Sequence, residues 1–232
     1  AGLRRMNPAP DLSKLQALLV DDLPEMRSAS RIQLADIGIQ HCDSARNIKE
    51  AIEKITAKRY DLILCDYNLG QGADGQQLLE LLRRRKILPL ATAFLIITGE
   101  TGYEQVSTAA EYAPDDYLIK PFTAQILQTR LARTLEKKHA LRSLYQRLGE
   151  RGSRVPALEA CDAMLLEGSR YTLDLTRIKG DLLLELDRHD EALALYQTLL
   201  AQRSTPWAEV GKARALVANG KEAEATAQLT RA

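Results

Sequence analysis

The sequence predicts an α/β protein with a doubly wound parallel sheet, followed by an all-helical region. Three observations predict it. Over the first half, five short apolar runs, each closing on a polar residue, alternate with amphipathic helical patterns. Regular alternation of this kind implies parallel strands with helices on both faces. The strand patterns stop beyond about residue 137, where a repeat sets in. Gly149, Gly180 and Gly211 recur 31 residues apart, as do Tyr145, Thr176 and Trp207, and Cys161, Ala192 and Ala223. A fixed period in a helical segment is the signature of stacked helical pairs.

Gln16-Ala17-Leu18-Leu19-Val20 is a buried-strand pattern ending in Asp21-Asp22. Leu23-Pro24-Glu25 opens a helix, with proline suited to its first turn, Met26, Ile32, Leu34 and Ile37 as core contacts, and Gly38 as its stop. Ile39 to Asp43 is a weaker strand. Asn47 to Lys58 carries Ile48, Ala51, Ile52 and Ile55 at helical spacing. Leu62-Ile63-Leu64-Cys65 runs straight into Asp66, the pattern of a strand buried on both faces. After a glycine-rich loop, Gln76 to Arg85 is an amphipathic helix with Leu78, Leu79, Leu81 and Leu82. Phe94 to Ile97 is a strand closing on Thr98-Gly99-Glu100, Glu104 to Tyr112 a short helix, and Tyr117 to Ile119 a strand closing on Lys120-Pro121. Residues 124–148 read as one long helix.

Composition narrows the function classes. The 232 residues carry a net charge of +1, which argues against a dominant nucleic-acid or membrane surface. No apolar run approaches the roughly 20 residues of a membrane span. Residues 1–11 lack an apolar core and read as a flexible leader, not a signal peptide. Cys42, Cys65 and Cys161 are widely spaced and form no metal-ligand cluster, so buried thiols in a reducing cytoplasm are expected.

Asp66 alone would read as a turn residue closing a strand. However, Asp21, Asp22, Asp66, Thr98 and Lys120 all fall at carboxyl ends of predicted strands, the edge where open α/β folds place their sites. Three gathered carboxylates repel unless a cation sits among them. An all-oxygen donor set suits a hard ion, Mg²⁺ first and Mn²⁺ as an alternative. Asp66 is then placed as a nucleophile toward a phosphoryl group. Lys120 and the Thr98 hydroxyl are a second clamp and a donor for its oxygens, with backbone N–H groups near Asn68 and Gly99 completing the shell.

Leu19-Val20-Asp21-Asp22, the lone Asp66, Thr98 and Lys120-Pro121-Phe122 resemble the response-regulator receiver domain of two-component signalling, over about residues 12–136. The resemblance implies a flavodoxin-like five-stranded sheet of order 2-1-3-4-5 and phosphotransfer to Asp66 from a histidine kinase or phosphotransfer protein. It further implies Asp22 as a direct Mg²⁺ ligand, Asp21 as a water-mediated one, and the Asn68 backbone carbonyl as another. Thr98 and Tyr117 match the switch pair, Lys120 the phosphate-contacting lysine, and Asn68 and Glu100 the positions that tune hydrolysis. Such a receiver is no enzyme beyond its own phosphorylation and dephosphorylation. The loop Leu69-Gly70-Gln71-Gly72-Ala73-Asp74-Gly75 departs from the family, which often has a proline and a shorter loop there.

Residues 137–232 resemble tetratricopeptide repeats, each three residues short of the usual ~34. The best copies are Gly180 to Leu186, Asp190 to Tyr196 and Trp207 to Gly211. Pro156, Asp187 and Ala218 are expected at the turns. The last repeat has no evident polar cap, so the natural chain is expected to continue. The leading expectation is a cytoplasmic phosphorylation-controlled adaptor that binds a protein partner through its repeats, with homodimer formation left open. The alternatives are a phosphoryl relay without an output, a DNA-binding transcriptional regulator, and an aspartyl phosphatase, which Asn68 in place of a second acid disfavours.

Overall fold

The computed structural model describes residues 11–70, 72–99, 112–150 and 152–229. The predicted helix at Glu104 to Tyr112 and the residue Glu100 lie outside the described residues, apart from Tyr112 itself. The chain divides into two compact units, between Arg142 and Ser143.

In the first unit the described strands are β1 (Gln16–Val20), β2 (His41–Ala45), β3 (Leu62–Asp66), β4 (Ala93–Thr98) and β5 (Asp116–Ile119). They form one parallel sheet of order β2-β1-β3-β4-β5, the flavodoxin-like arrangement. The helices are α1 (Pro24–Asp36), α2 (Ile48–Ala57), α3 (Gly75–Arg84) and α4 (Ala124–Ala140). Successive side chains on a strand point to opposite faces, and the two cores follow that alternation. Leu18, Val20, Ile63, Cys65, Phe94 and Ile96 pack with Ala51 and Ile55 of α2 and Leu78, Leu79 and Leu82 of α3. Ala17, Leu19, Leu62, Leu64, Leu95 and Ile97 pack with Leu34 of α1, with Ile37 just after it, and with Leu127, Leu131 and Leu135 of α4.

Local chemistry sets the element ends. Pro24 stands in the first turn of α1. Asn47, Asp74 and Thr123 accept backbone N–H groups at the starts of α2, α3 and α4. The predicted strand at Ile39 to Asp43 instead begins at His41. Gly38, at φ +98°, and Ile39 close α1 by donating to the Ala35 and Leu34 carbonyls, so Ile39 belongs to the helix cap. Ile32 is 63% exposed, not a core contact. It lies about 200° around the helix from Leu34, at 100° per residue.

The single helix predicted over 124–148 is interrupted. Leu141 leaves helical geometry at φ −96°, ψ 9°, and divides its N–H between the Lys137 and His139 carbonyls; α5 (Arg142–Gly149) follows. Leucine is a good helix former, so tertiary packing overrides propensity here. The last turn of α4 is fastened to the sheet by Lys138, whose Nζ donates to the Leu90 carbonyl at 2.7 Å and to Asp115 Oδ1 at 2.8 Å. Asp115 Oδ2 in turn accepts the Phe94 N–H at 2.9 Å.

Burial, partly offset by Asp115, pushes the Lys138 ammonium down to about 8 from 10.5. The unfolded chain therefore binds the extra proton between those two values, and stability from this group is gained as pH rises through them and lost as pH falls. Between pH 8 and 10.5 the protein gains on the order of 3 kcal/mol that Lys138→Met does not. Urea midpoints of the two chains at pH 7.5 and 10 check it.

In the second unit the helices after α5 are α6 (Arg154–Leu166), α7 (Thr172–Glu185), α8 (His189–Gln202), α9 (Pro206–Ala218) and α10 (Glu222–Leu229). Each of α6 to α9 packs on the next, and α7 also touches α9. Asp187 turns α7 into α8 in the left-handed region, at φ 57°, which Asp tolerates. Ala218 is the last residue of α9, whereas Pro156 lies inside the first turn of α6, where its missing N–H costs no helical bond. Tyr196 is 1% exposed, and its ring lies against Gly180 of α7 and Gly211 of α9. A Cβ at Gly180 or at Gly211 would collide with its ring.

Candidate functional site

Register brings the predicted residues to one rim. Val20 pairs with Cys65, Asp66 with Ile97, and Thr98 with Ile119, so Asp21, Asp66, Thr98 and Lys120 leave the sheet side by side. Asp21, Asp22 and Asp66 each offer a carboxylate oxygen within 4.8 Å of the others. Asp21 and Asp66 are buried, and Asp22 is the most open of the three. Lys120 Nζ lies 3.1 Å from Asp66 Oδ1 and 3.9 Å from Asp21 Oδ2. Thr98 is buried, and its carbonyl accepts the Lys120 N–H at 2.7 Å. Tyr117 is buried on the same sheet face as Ile96. A Cβ at Gly99 would meet nothing within 4 Å, which leaves open space over the rim.

The electrostatics are those of a site short of positive charge. Burial pushes the Asp66 carboxyl up, with the Lys120 hydrogen bond and charge opposing it. Burial also pushes Asp21 up; the Leu23 N–H, at 2.8 Å from Oδ1, opposes it and the Asp66 charge adds to it. Three convergent carboxylates, two of them out of water, form a hard-oxygen set that fits a divalent cation.

Sequence reading missed three contributors. Arg27 donates to the Asp21 carbonyl at 2.6 Å, and no sequence signal marks it. Gly75 starts α3 against Asp66, because a Cβ there would lie 2.6 Å from the Asp66 carbonyl oxygen. Gly70 lies against Asp22. The loop they bound is tied internally: Gly70 N–H to Asn68 Oδ1, Leu69 N–H to the Ala73 carbonyl, Ala73 N–H to the Gly70 carbonyl and Gly75 N–H to the Tyr67 carbonyl. The glycines were visible in the sequence, but not what each one touches.

A parallel sheet of this order with two acids after β1, one ending β3 and a lysine after β5 defines a receiver-type α/β domain. The family described as "Response regulator receiver domain" matches residues 17–132, half of the chain, and the chain belongs to it. Its relatives include the chemotaxis protein CheY of Pseudomonas aeruginosa, 30% identical over 126 residues that make up 53% of this chain and 98% of that protein. Chemotaxis protein CheY-3 of Vibrio cholerae is 31% identical over 126 residues, 53% of this chain and 93% of that protein. The solved structure of the chemotaxis response regulator CheY4 of Vibrio cholerae aligns with a TM-score of 0.46 at 28% identity, covering 52% of this chain and 98% of that one. Receiver domains are generally not catalytic beyond their own phosphorylation and dephosphorylation. Among the described residues, no helix is long and apolar enough to cross a membrane.

Proposed function

We propose that the chain is a two-component response regulator whose Asp66 accepts a phosphoryl group from a histidine kinase or phosphotransfer protein, and that this switches a protein-interaction surface on tetratricopeptide-like repeats. The observation that carries the reading is the Asp66 carboxylate set among Asp21, Asp22 and Lys120. Asp22, Asp66 and the Asn68 carbonyl would hold Mg²⁺ directly and Asp21 through water; Mn²⁺ suits the same donors. When bound, the ion neutralises charge that builds on the phosphoryl oxygens. An Asp66 oxygen forms the new bond to phosphorus while the donor's bond to phosphorus breaks, and the donor leaves with that electron pair. Lys120, already bonded to Asp66, moves to the incoming oxygens, and the Thr98 hydroxyl and the Gly99 N–H donate to them. Thr98 and Tyr117 act as the switch pair, and Asn68 with Glu100 tunes hydrolysis of the acyl phosphate.

The receiver is assigned to residues 12–136 and the repeats to residues 137–232. The α7–α8 and α9–α10 pairs support the repeat assignment, because Tyr196 of one pair fills a slot made by Gly180 of its own pair and Gly211 of the next. Stacked pairs of this kind build surfaces that hold other proteins. In the cytoplasm such a chain acts as an adaptor, without a nucleic-acid or membrane partner. The test is incubation with acetyl phosphate and Mg²⁺, with the product mapped by mass spectrometry. One acyl phosphate at Asp66 and altered capture of a protein partner are expected; unaltered capture by the phosphorylated chain would rule out the switch.

Mg²⁺ alone has a predicted effect. At a hundred times its dissociation constant it stabilises the fold by about 2.7 kcal/mol, and Asp22→Asn loses most of that. Because Asp21 and Asp66 are pushed up from 3.8, the ion-free protein is relieved of repulsion at low pH and strained as pH rises through their folded values. The Mg²⁺-induced rise in Tm therefore grows from pH 4 to pH 7, which thermal melts with and without the ion read directly.

A further inference from the structure

The geometry points to Gly70 as a positioning residue for the cation, acting through Asp22. Two independent features meet at this residue. Its backbone is left-handed, at φ +72°, and a Cβ built on it would lie 2.8 Å from Asp22 Oδ2 and 3.6 Å from the Asp22 carboxyl carbon. The first is closer than a real Cβ comes to any atom, while the second is ordinary contact, so Asp22 Oδ2 would have to shift away from its place. Asp22 is the most open of the three acids, and the loop after Asp66 borders it here. The loop is not free to retreat. Leu69 is 4% exposed and its N–H is bonded to Ala73, Gly70 is bonded to both Asn68 and Ala73, and Asn68 and Asp74 form a β-bridge. The bare Cα of Gly70 thus lets an anchored loop wall in the Asp22 carboxylate and keep it turned toward Asp21 and Asp66. This inference rests on the reading of the acid trio as a cation site and adds the element that sets the direction of one ligand.

Gly72 supplies the control. It too is left-handed, at φ +77°, in the same loop, but a Cβ there would meet nothing. Alanine at either position pays the same kind of backbone strain; only at Gly70 does it strike Asp22. Mg²⁺ titrations of the full chain by calorimetry, with Mn²⁺ followed by electron paramagnetic resonance, should find Gly70→Ala about tenfold weaker, the usual effect of disturbing a group behind a metal ligand. Gly72→Ala should bind like the parent although it melts at a lower temperature. Gly70→Asn tolerates the left-handed backbone and carries the same Cβ, so it should repeat the tenfold loss even if the alanine chain folds poorly. In an Asp22→Asn background the Gly70 effect should vanish. Equal affinities for the Gly70 and Gly72 variants, or a Gly70 effect that survives without Asp22, would overturn the inference and leave the cation site standing. A parent chain that binds neither ion would instead overturn the reading of the site on which it rests.

Discussion

An Asp66→Asn chain incubated with acetyl phosphate and Mg²⁺ gains no phosphoryl mass, while the parent chain gains one group. The expected fall in rate exceeds about a thousandfold, the scale on which a removed nucleophile acts. An amide oxygen cannot form the acyl phosphate, and no other described carboxylate has the same setting. Asp66 is the acid that Lys120 holds at 3.1 Å, whereas Asp21 stands 3.9 Å from the same amine. Misfolding does not explain the loss. Burial pushes the Asp66 carboxyl up, so neutralising it removes an electrostatic cost at neutral pH, and the ion-free variant should melt no lower than the parent. A variant that takes up phosphoryl at the parental rate would place the acceptor elsewhere.

The second large effect belongs to the helical unit. Tyr196→Ala should cost about 3–5 kcal/mol, the range for deleting a buried aromatic ring. The ring is enclosed by Gly180 and Gly211, and neither glycine has a side chain that could swing in to fill the cavity. Its edge also meets the Trp207 ring, with centroids 6.4 Å apart at 73°. Trp207 is the only tryptophan of the chain, so its emission during urea unfolding reports on this unit. The midpoint of that transition should fall sharply, while far-ultraviolet signals from the sheet persist. Tyr196→Phe should stay close to the parent, because the ring carries the packing.

The legibility of the fold varied with how a residue earns its place. Strands β1, β3 and β4 could be read because a strand buried on both faces must be apolar throughout, and the rim acids stood out as the polar groups ending those runs. Pro24 could be read because the chemistry of a helix start is local. Lys138 could not: in Lys137-Lys138-His139 it looks like solvated charge, and only the approach of Asp115 and Leu90, distant in sequence, turns it into a buried clamp. The interruption at Leu141 has the same origin, since no residue type announces it. Ile39 misled because an apolar residue after a glycine serves a helix cap as well as it opens a strand. In the site, the acids, Thr98 and Lys120 were legible as a set, but Gly70 and Arg27 act through contacts that only the folded chain creates.

The tight fit of Gly75 carries a mechanical consequence. With the first residue of α3 pressed against the Asp66 carbonyl and the Cys65 sulfur, no room is left between the main chain of the proposed acceptor and that helix. Under the phosphorylation proposed above, a new charge on residue 66 would find little give beneath it, and the lysine and the hydroxyl across the rim would have to move instead.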